Sequence, residues 1–255
     1  MAQSSLIAPS EVFARTWHEG KKFLGPDVRE SMGFLGIALL SFALALISFY
    51  VPPIARLVLH AVDLILLQVI GNTWVTLRLT NLVLMERQGK KSKAPTMAML
   101  GSFLLISILS GLTVAGGALM FVLPGIWLTI AFAFASYIYL DEGKTGRQAL
   151  AHSAALVKGR WWGTLIRILM PGFIILVLSM LAGTIIETLV SLIAGYHPSE
   201  LVTQTNFFNI VALGPPSTQI AASALQVINS IPLLIAIPLL THLMVTVYLE
   251  LKRTR

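Results

Sequence analysis

The chain has 255 residues, 56% of them hydrophobic and 11% charged, with mean hydropathy +0.83 and formal net charge +7. A soluble domain carries about 25% charged residues, so this composition excludes one, and several apolar runs exceed the ~18 residues that mark a transmembrane helix. These runs lack period-two alternation, which selects a helix bundle over a barrel. There is no cysteine, hence no disulfide and no thiolate metal site.

The predicted class is an all-α, polytopic membrane protein: a lead-in over 1–31, then one six-helix transmembrane domain over 32–255. Ser10 caps an amphipathic helix over Glu11 to Phe23, with Val12, Phe13, Trp17 and Phe23 on its apolar side. Arg15, Lys21 and Lys22 suit an anionic leaflet, or a solvated helix docked on the bundle. The first 30 residues are polar and mixed in charge, so no cleaved signal peptide is expected.

Six spans follow, at about 33–51, 54–85, 96–122, 124–140, 161–194 and 218–251. Span 1 ends at Pro52-Pro53. Span 4 starts at the Pro124-Gly125 turn. A polar loop over 195–217 leads to span 6. Between spans 4 and 5, an acidic turn at Asp141-Glu142 precedes an amphipathic surface helix over 145–159.

Lysine and arginine sort these connections. The lead-in holds Arg15, Lys21, Lys22 and Arg29. The span 2–3 loop holds Arg87, Lys90, Lys91 and Lys93. The span 4–5 loop holds Lys144, Arg147, Lys158 and Arg160, and the tail holds Lys252, Arg253 and Arg255. The other three connections hold none. A split of 15 to 0 places both termini in the cytoplasm and the spans in three hairpins. It also turns the positive net charge toward a membrane surface and away from nucleic acid.

Span 3 is rich in small residues. Ser107, Gly111 and Ala115 lie four apart and predict a close packing face, with Ala131, Ala133, Ala135 and Ser136 of span 4 as its partner. Span 2 carries Arg56, His60 and Asp63 on one helical face, continued by Leu67, Trp74, Arg78 and Asn81. Span 5 carries one acid, Glu187, about 10 Å below the outer surface at helical rise. Glu187 is expected to approach the Arg56/His60 end of span 2. Intramembrane ionisable groups avoid lipid, which leaves two readings: an internal latch that fixes helix register, or a polar cavity for a proton, ion or headgroup.

Pro171, Pro232 and Pro238 are predicted kink sites. Arg78 and Arg167 are expected to snorkel to phosphates. His152 and His242 read as isolated and not as metal ligands. Lys158, Arg160, Trp161 and Trp162 form an expected interfacial anchor, with tryptophans at belt depth. There is no GxSxG, HExxH, P-loop or CxxC pattern, so neither catalytic residues nor a cofactor is assigned.

Leu123-Pro124-Gly125-Ile126-Trp127, the turn Leu140-Asp141-Glu142-Gly143, Ala149-Leu150 with Ser153, and the run from Leu156 to Trp162 together resemble one bacterial group. It comprises the membrane domain of some glycerophosphodiester phosphodiesterases and stand-alone six-helix inner-membrane proteins of the YciC type. The ending Val247 to Arg253 is similar to that group's close. The resemblance implies a bacterial inner-membrane protein of envelope or membrane-lipid homeostasis. Phosphodiesterase activity does not carry over, because hydrolysis in the fused enzymes belongs to a separate barrel domain.

The expected function is therefore non-enzymatic: a lipid-interacting protein or a scaffold for a membrane or cytoplasmic protein, with membrane lipids as partners and oligomeric state unassigned. The alternative is a small transporter or channel using the polar site on spans 2 and 5. A lipid-modifying enzyme is the weaker alternative. A lateral groove favours lipid handling, a continuous polar cavity favours transport, and a closed bundle favours a scaffold.

Overall fold

The computed structural model describes residues 7–92, 94–120, 122–194 and 216–254. All regular structure among them is helical. The elements are α1 (Pro9–Ser48), α2 (Pro53–Val62), a π-helical segment (Asp63–Gly71), α3 (Asn72–Arg87), α4 (Met97–Met120), α5 (Val122–Phe132), α6 (Ala135–Glu142), α7 (Gly146–Val157), α8 (Trp161–Ala194) and α9 (Pro216–Arg253). Six stretches are long and apolar enough to cross a membrane: Gly25–Ser48, Pro53–Arg87, Met97–Leu119, Leu123–Glu142, Trp161–Val190 and Ser223–Arg253. Leu39, Leu40, Leu64, Leu112, Phe173 and Leu189 are among many large apolar side chains left exposed on them. Water tolerates no such apolar faces at this density, whereas hydrocarbon does. The chain is a multi-pass membrane protein.

Three elements differ from the sequence expectation. The lead-in and span 1 form one unbroken helix, α1, which passes through Pro26. Val12 and Thr16 are buried in the protein, so the lead-in docks on its own fold through that side. Span 2 is interrupted by the nine-residue π segment, where the Asn72 N–H reaches back five residues to the Leu67 carbonyl. The α-helical repeat stops there, so Trp74, Arg78 and Asn81 do not continue the Arg56/His60/Asp63 face at the assumed spacing. Span 4 is broken at Ala133-Phe134, between α5 and α6. The loop motif before Pro216 falls outside the described residues.

The described chain divides into two compact units. The first contains Met1–Asp27, Thr76–Ile175 and Pro238–Arg255. Its centre is Phe134, Ile138, Leu243 and Tyr248, all nearly or fully buried. Helix α7 joins it through Ala149, Leu150, Ser153, Leu156 and Val157, while Arg147, Gln148, Ala151 and Ala155 face outward. That three-four spacing is what a one-sided helix needs. Gly143 at φ 71° ends α6, its N–H bonding the Tyr139 carbonyl, and reverses the chain into α7.

Small residues do bring α4 and α5 together, but not on the predicted face. Ser107, Gly111 and Ala115 are exposed, and a methyl group at Gly111 would meet nothing within 4 Å. The close approach lies at Ala118 and Gly125, where an added Cβ on Gly125 would sit 2.9 Å from Ala118. The reason is sequence proximity: Ala118 and Gly125 stand near the adjoining ends of α4 and α5. Ala131 and Ala135 are buried as expected, and Ala135 packs with Ile106, Ala149 and Leu150.

The second unit contains Val28–Val75 and Leu176–Ile237. The Ser31 hydroxyl donates to the Leu234 carbonyl, 2.8 Å, which links α1 to α9 within this unit.

Candidate functional site

In the second unit the π segment organises a polar chain. The Ser41 hydroxyl donates to Asp63 Oδ1 at 2.5 Å. Gln68 Nε2 donates to the same Ser41 oxygen at 2.9 Å. Gln68 Oε1 accepts from Asn72 Nδ2 and from Gln226 Nε2, each at 3.2 Å. Asp63 and Gln68 are five residues apart, which is one turn in π geometry, and this lets both reach Ser41. Every donor points along the chain toward Asp63, the arrangement expected for an acceptor-only carboxylate. Spans 1, 2 and 6 are thereby tied in one line of hydrogen bonds.

The residues singled out in the sequence sit as follows. Arg56, His60, Asp63 and Glu187 are all half-buried. Arg56 Nε donates to the Ser48 carbonyl at 3.2 Å. Asp63 is held by Ser41. No hydrogen bond or ion pair joins Glu187 to a described residue. Helices α8 and α9 pass through Pro171, Pro232 and Pro238 without a break.

These contacts separate two acids of the same span depth. Asp63→Ala leaves Ser41 and the amide chain without their final acceptor and is expected to cost about 1–3 kcal/mol. Glu187→Ala removes no such bond and is expected to change stability by less than about 0.5 kcal/mol. Unfolding of both variants in lipid bicelles measures this. Equal losses would show that Glu187 carries a structural contact after all.

The first unit holds a buried histidine–carboxylate hydrogen bond. His242 Nε2 and Asp27 Oδ2 are 2.6 Å apart, and both side chains are fully buried. Arg87 Nη2 lies 3.4 Å from the other ring nitrogen, His242 Nδ1, and donates to the Thr246 hydroxyl at 3.2 Å. Arginine can only donate. The His242 Nδ1 lone pair therefore faces Arg87, and Nε2–H donates to Asp27. His242 is not isolated, and neither is His152, which lies 3.0 Å from the Glu142 carboxylate.

A second hub ties α3, α6 and α9. The Asp141 carboxylate accepts from Gln88 at 2.9 Å, from the Tyr248 hydroxyl at 2.8 Å and from Lys252 at 2.6 Å. Glu142 takes Lys144 at 2.9 Å. Arg160 donates to the hydroxyl and carbonyl of Thr254, and Arg167 donates to the Ile7 and Gly163 carbonyls. Arg160 and Arg167 are thus spent on the protein itself, and Arg167 does not snorkel freely.

Beside this hub, α5, α7 and the start of α8 enclose an open, apolar groove of about 400 Å³. Trp127, Ala131, Ala154, Val157 and Trp161 line it, and Lys158 stands at its wall. Trp161 Nε1 donates to the Trp127 carbonyl at 3.3 Å, and its ring meets Trp162 edge-on at 4.6 Å. Trp162 is 71% exposed. The Lys158 side chain is exposed and has no partner among the described residues.

No family model, curated protein or solved structure matches this chain. Sequence reasoning missed Ser41, Gln68, Asn72 and Gln226, each a lone polar residue in an apolar run. The signal was available as two amides and a carboxylate crowded into Asp63–Asn72. It also missed Asp27 as the partner of His242. Among the described residues, no group of three or more His, Cys, Asp or Glu is placed to hold a metal ion.

Proposed function

We propose that this is a non-enzymatic, lipid-interacting protein of the bacterial inner membrane, with both termini cytoplasmic, acting in membrane-lipid or envelope homeostasis. The observation that carries the reading is the apolar groove with Trp127 and Trp161 on its walls and, beside them, the exposed Lys158, which has no partner among the described residues. Its volume, about 400 Å³, lies in the ligand-site range. Apolar walls suit an acyl chain, tryptophans suit the interfacial depth, and an exposed ammonium suits a headgroup phosphate. Orientation is supported by charge: of 18 Lys and Arg, all but Arg29 and Arg56 belong to the first unit. The resemblance to the YciC-type group points to the same compartment. The hydrogen-bonded chain around Asp63 supports the latch reading over the transporter, since its polar groups satisfy one another.

Filling the groove tests this. Ala154→Leu is expected to reduce the lipid retained through detergent exchange about fivefold, read by native mass spectrometry. Unchanged retention with an intact fold would end the lipid reading. In the same chain, which has no cysteine, Lys158→Cys should react with an impermeant maleimide only from the cytoplasmic face. Labelling from outside would reverse the topology.

A further inference from the structure

A second cavity in the first unit, about 210 Å³, lies where α1, α3 and α9 meet. Three guanidinium side chains line it, one from each helix: Arg15, Arg87 and Arg253. Glu250 lines it too. This cavity is separate from the groove, and its chemistry is different.

The four charged side chains are unequally engaged. Arg15 is bridged to Glu11 at 2.6 Å, one helical turn away, in an exposed pair of low intrinsic worth. Arg253 is exposed and has no partner among the described residues. Arg87 uses Nη2 on His242 and Thr246, and its Nη1 stands 3.9 Å from Glu19. Its Nε is buried and has no hydrogen-bond acceptor. Glu250 uses Oε1 to accept the Ile7 N–H at 2.5 Å, which brings the lead-in over the cavity. Its Oε2 is buried with no donor.

Two of the lining residues, Arg87 and Glu250, thus each carry a buried polar atom with no hydrogen-bond partner among the described residues. Buried polar atoms in that state each ask for a partner. A simple anion would satisfy the guanidiniums and leave Glu250 repelled. A simple cation would do the reverse. A ligand with a phosphate and an ammonium two carbons apart satisfies both, because guanidinium pairs with phosphate oxygens and carboxylate with ammonium. We propose that the Arg15/Arg87/Arg253/Glu250 cavity binds a phosphoethanolamine group, supplied either by a phosphatidylethanolamine headgroup or by the free phosphomonoester.

The test uses the full chain, delipidated in detergent and then placed in nanodiscs. Two variants spare the fold. Arg253→Gln removes a cation with no partner among the described residues, and Glu250→Gln keeps an oxygen for the Ile7 N–H. Phosphatidylethanolamine should bind in preference to phosphatidylglycerol. Arg253→Gln should weaken it about tenfold, the usual size of one charge-assisted contact. Glu250→Gln should abolish the preference between the two lipids. Free O-phosphoethanolamine is then added as competitor. Displacement at millimolar concentration identifies the soluble source, and no displacement with the lipid still bound identifies the headgroup. The proposal falls if both variants bind phosphatidylethanolamine like the parent. It also falls if inorganic phosphate displaces the bound lipid as well as O-phosphoethanolamine does.

Discussion

Ser153→Ala is expected to destabilise the protein by about 3 kcal/mol, through the loss of a single oxygen. Span 4 breaks at Ala133-Phe134, where the Ala133 N–H bonds the Ile130 carbonyl at 3.4 Å. Two backbone groups are left over. The Phe134 N–H donates to Ser153 Oγ at 3.2 Å, and the Ser153 hydroxyl donates to the Ala131 carbonyl at 2.7 Å. Ser153 is fully buried, so no solvent replaces it. Side-chain hydrogen bonds between membrane helices average only about 0.6 kcal/mol in measured cycles. That low value applies where the unfolded state finds other partners. Here the bonded groups are backbone groups at a break, and each costs about 1–3 kcal/mol when orphaned. The larger figure should win. Ala151→Ser, on the exposed side of the same helix, should cost less than about 0.5 kcal/mol. Thermal unfolding of both in bicelles decides the matter. A cost below about 1 kcal/mol for Ser153→Ala would mean that the break closes into ordinary helix once the serine is gone.

The break also shows where sequence reading stops. The stretch Ala131-Phe132-Ala133-Phe134-Ala135-Ser136 is apolar and compatible with a continuous helix, so nothing local announces an interruption. The residue that makes it tolerable stands about 20 positions later, on α7. Ser153 was visible as part of the Ala149-Leu150…Ser153 pattern, but its task was not. The six spans, by contrast, were legible because each depends only on its own apolar length. Trp161–Ala194 follows from one uninterrupted run. Features that depend on pairing were not legible. The approach of Glu187 to span 2 was read from depth alone, which fixes neither azimuth nor rotamer, and among the described residues no hydrogen bond joins the two. The face running from Arg56 to Asn81 assumed α-helical repeat across Asp63–Gly71, where the backbone is π-helical.

The Asp27–His242 pair is expected to behave as a unit whose members cannot be removed singly. Asp27→Ala leaves the His242 Nε2–H without an acceptor and Arg87 without a buried counter-charge. His242→Leu leaves the Asp27 carboxylate buried and unpaired, and its Oδ1 has no partner to begin with. Breaking one member of a buried pair costs about 3–5 kcal/mol, much of it the charge left behind. The double variant Asp27→Ala/His242→Leu leaves no such charge on this pair, and Arg87 keeps Glu19 at 3.9 Å. It should therefore cost no more than either single change. The cycle should give a coupling of at least about 3 kcal/mol, the top of the range for residues in direct contact. Asp27→Asn keeps the hydrogen bond to His242 Nε2 and removes the charge. Its amide oxygen still accepts from Nε2–H, so it should retain more stability than Asp27→Ala. Costs that simply add would show that the two side chains act independently, and Asn no better than Ala at position 27 would show that the hydrogen bond to Nε2 carries no stability without the charge.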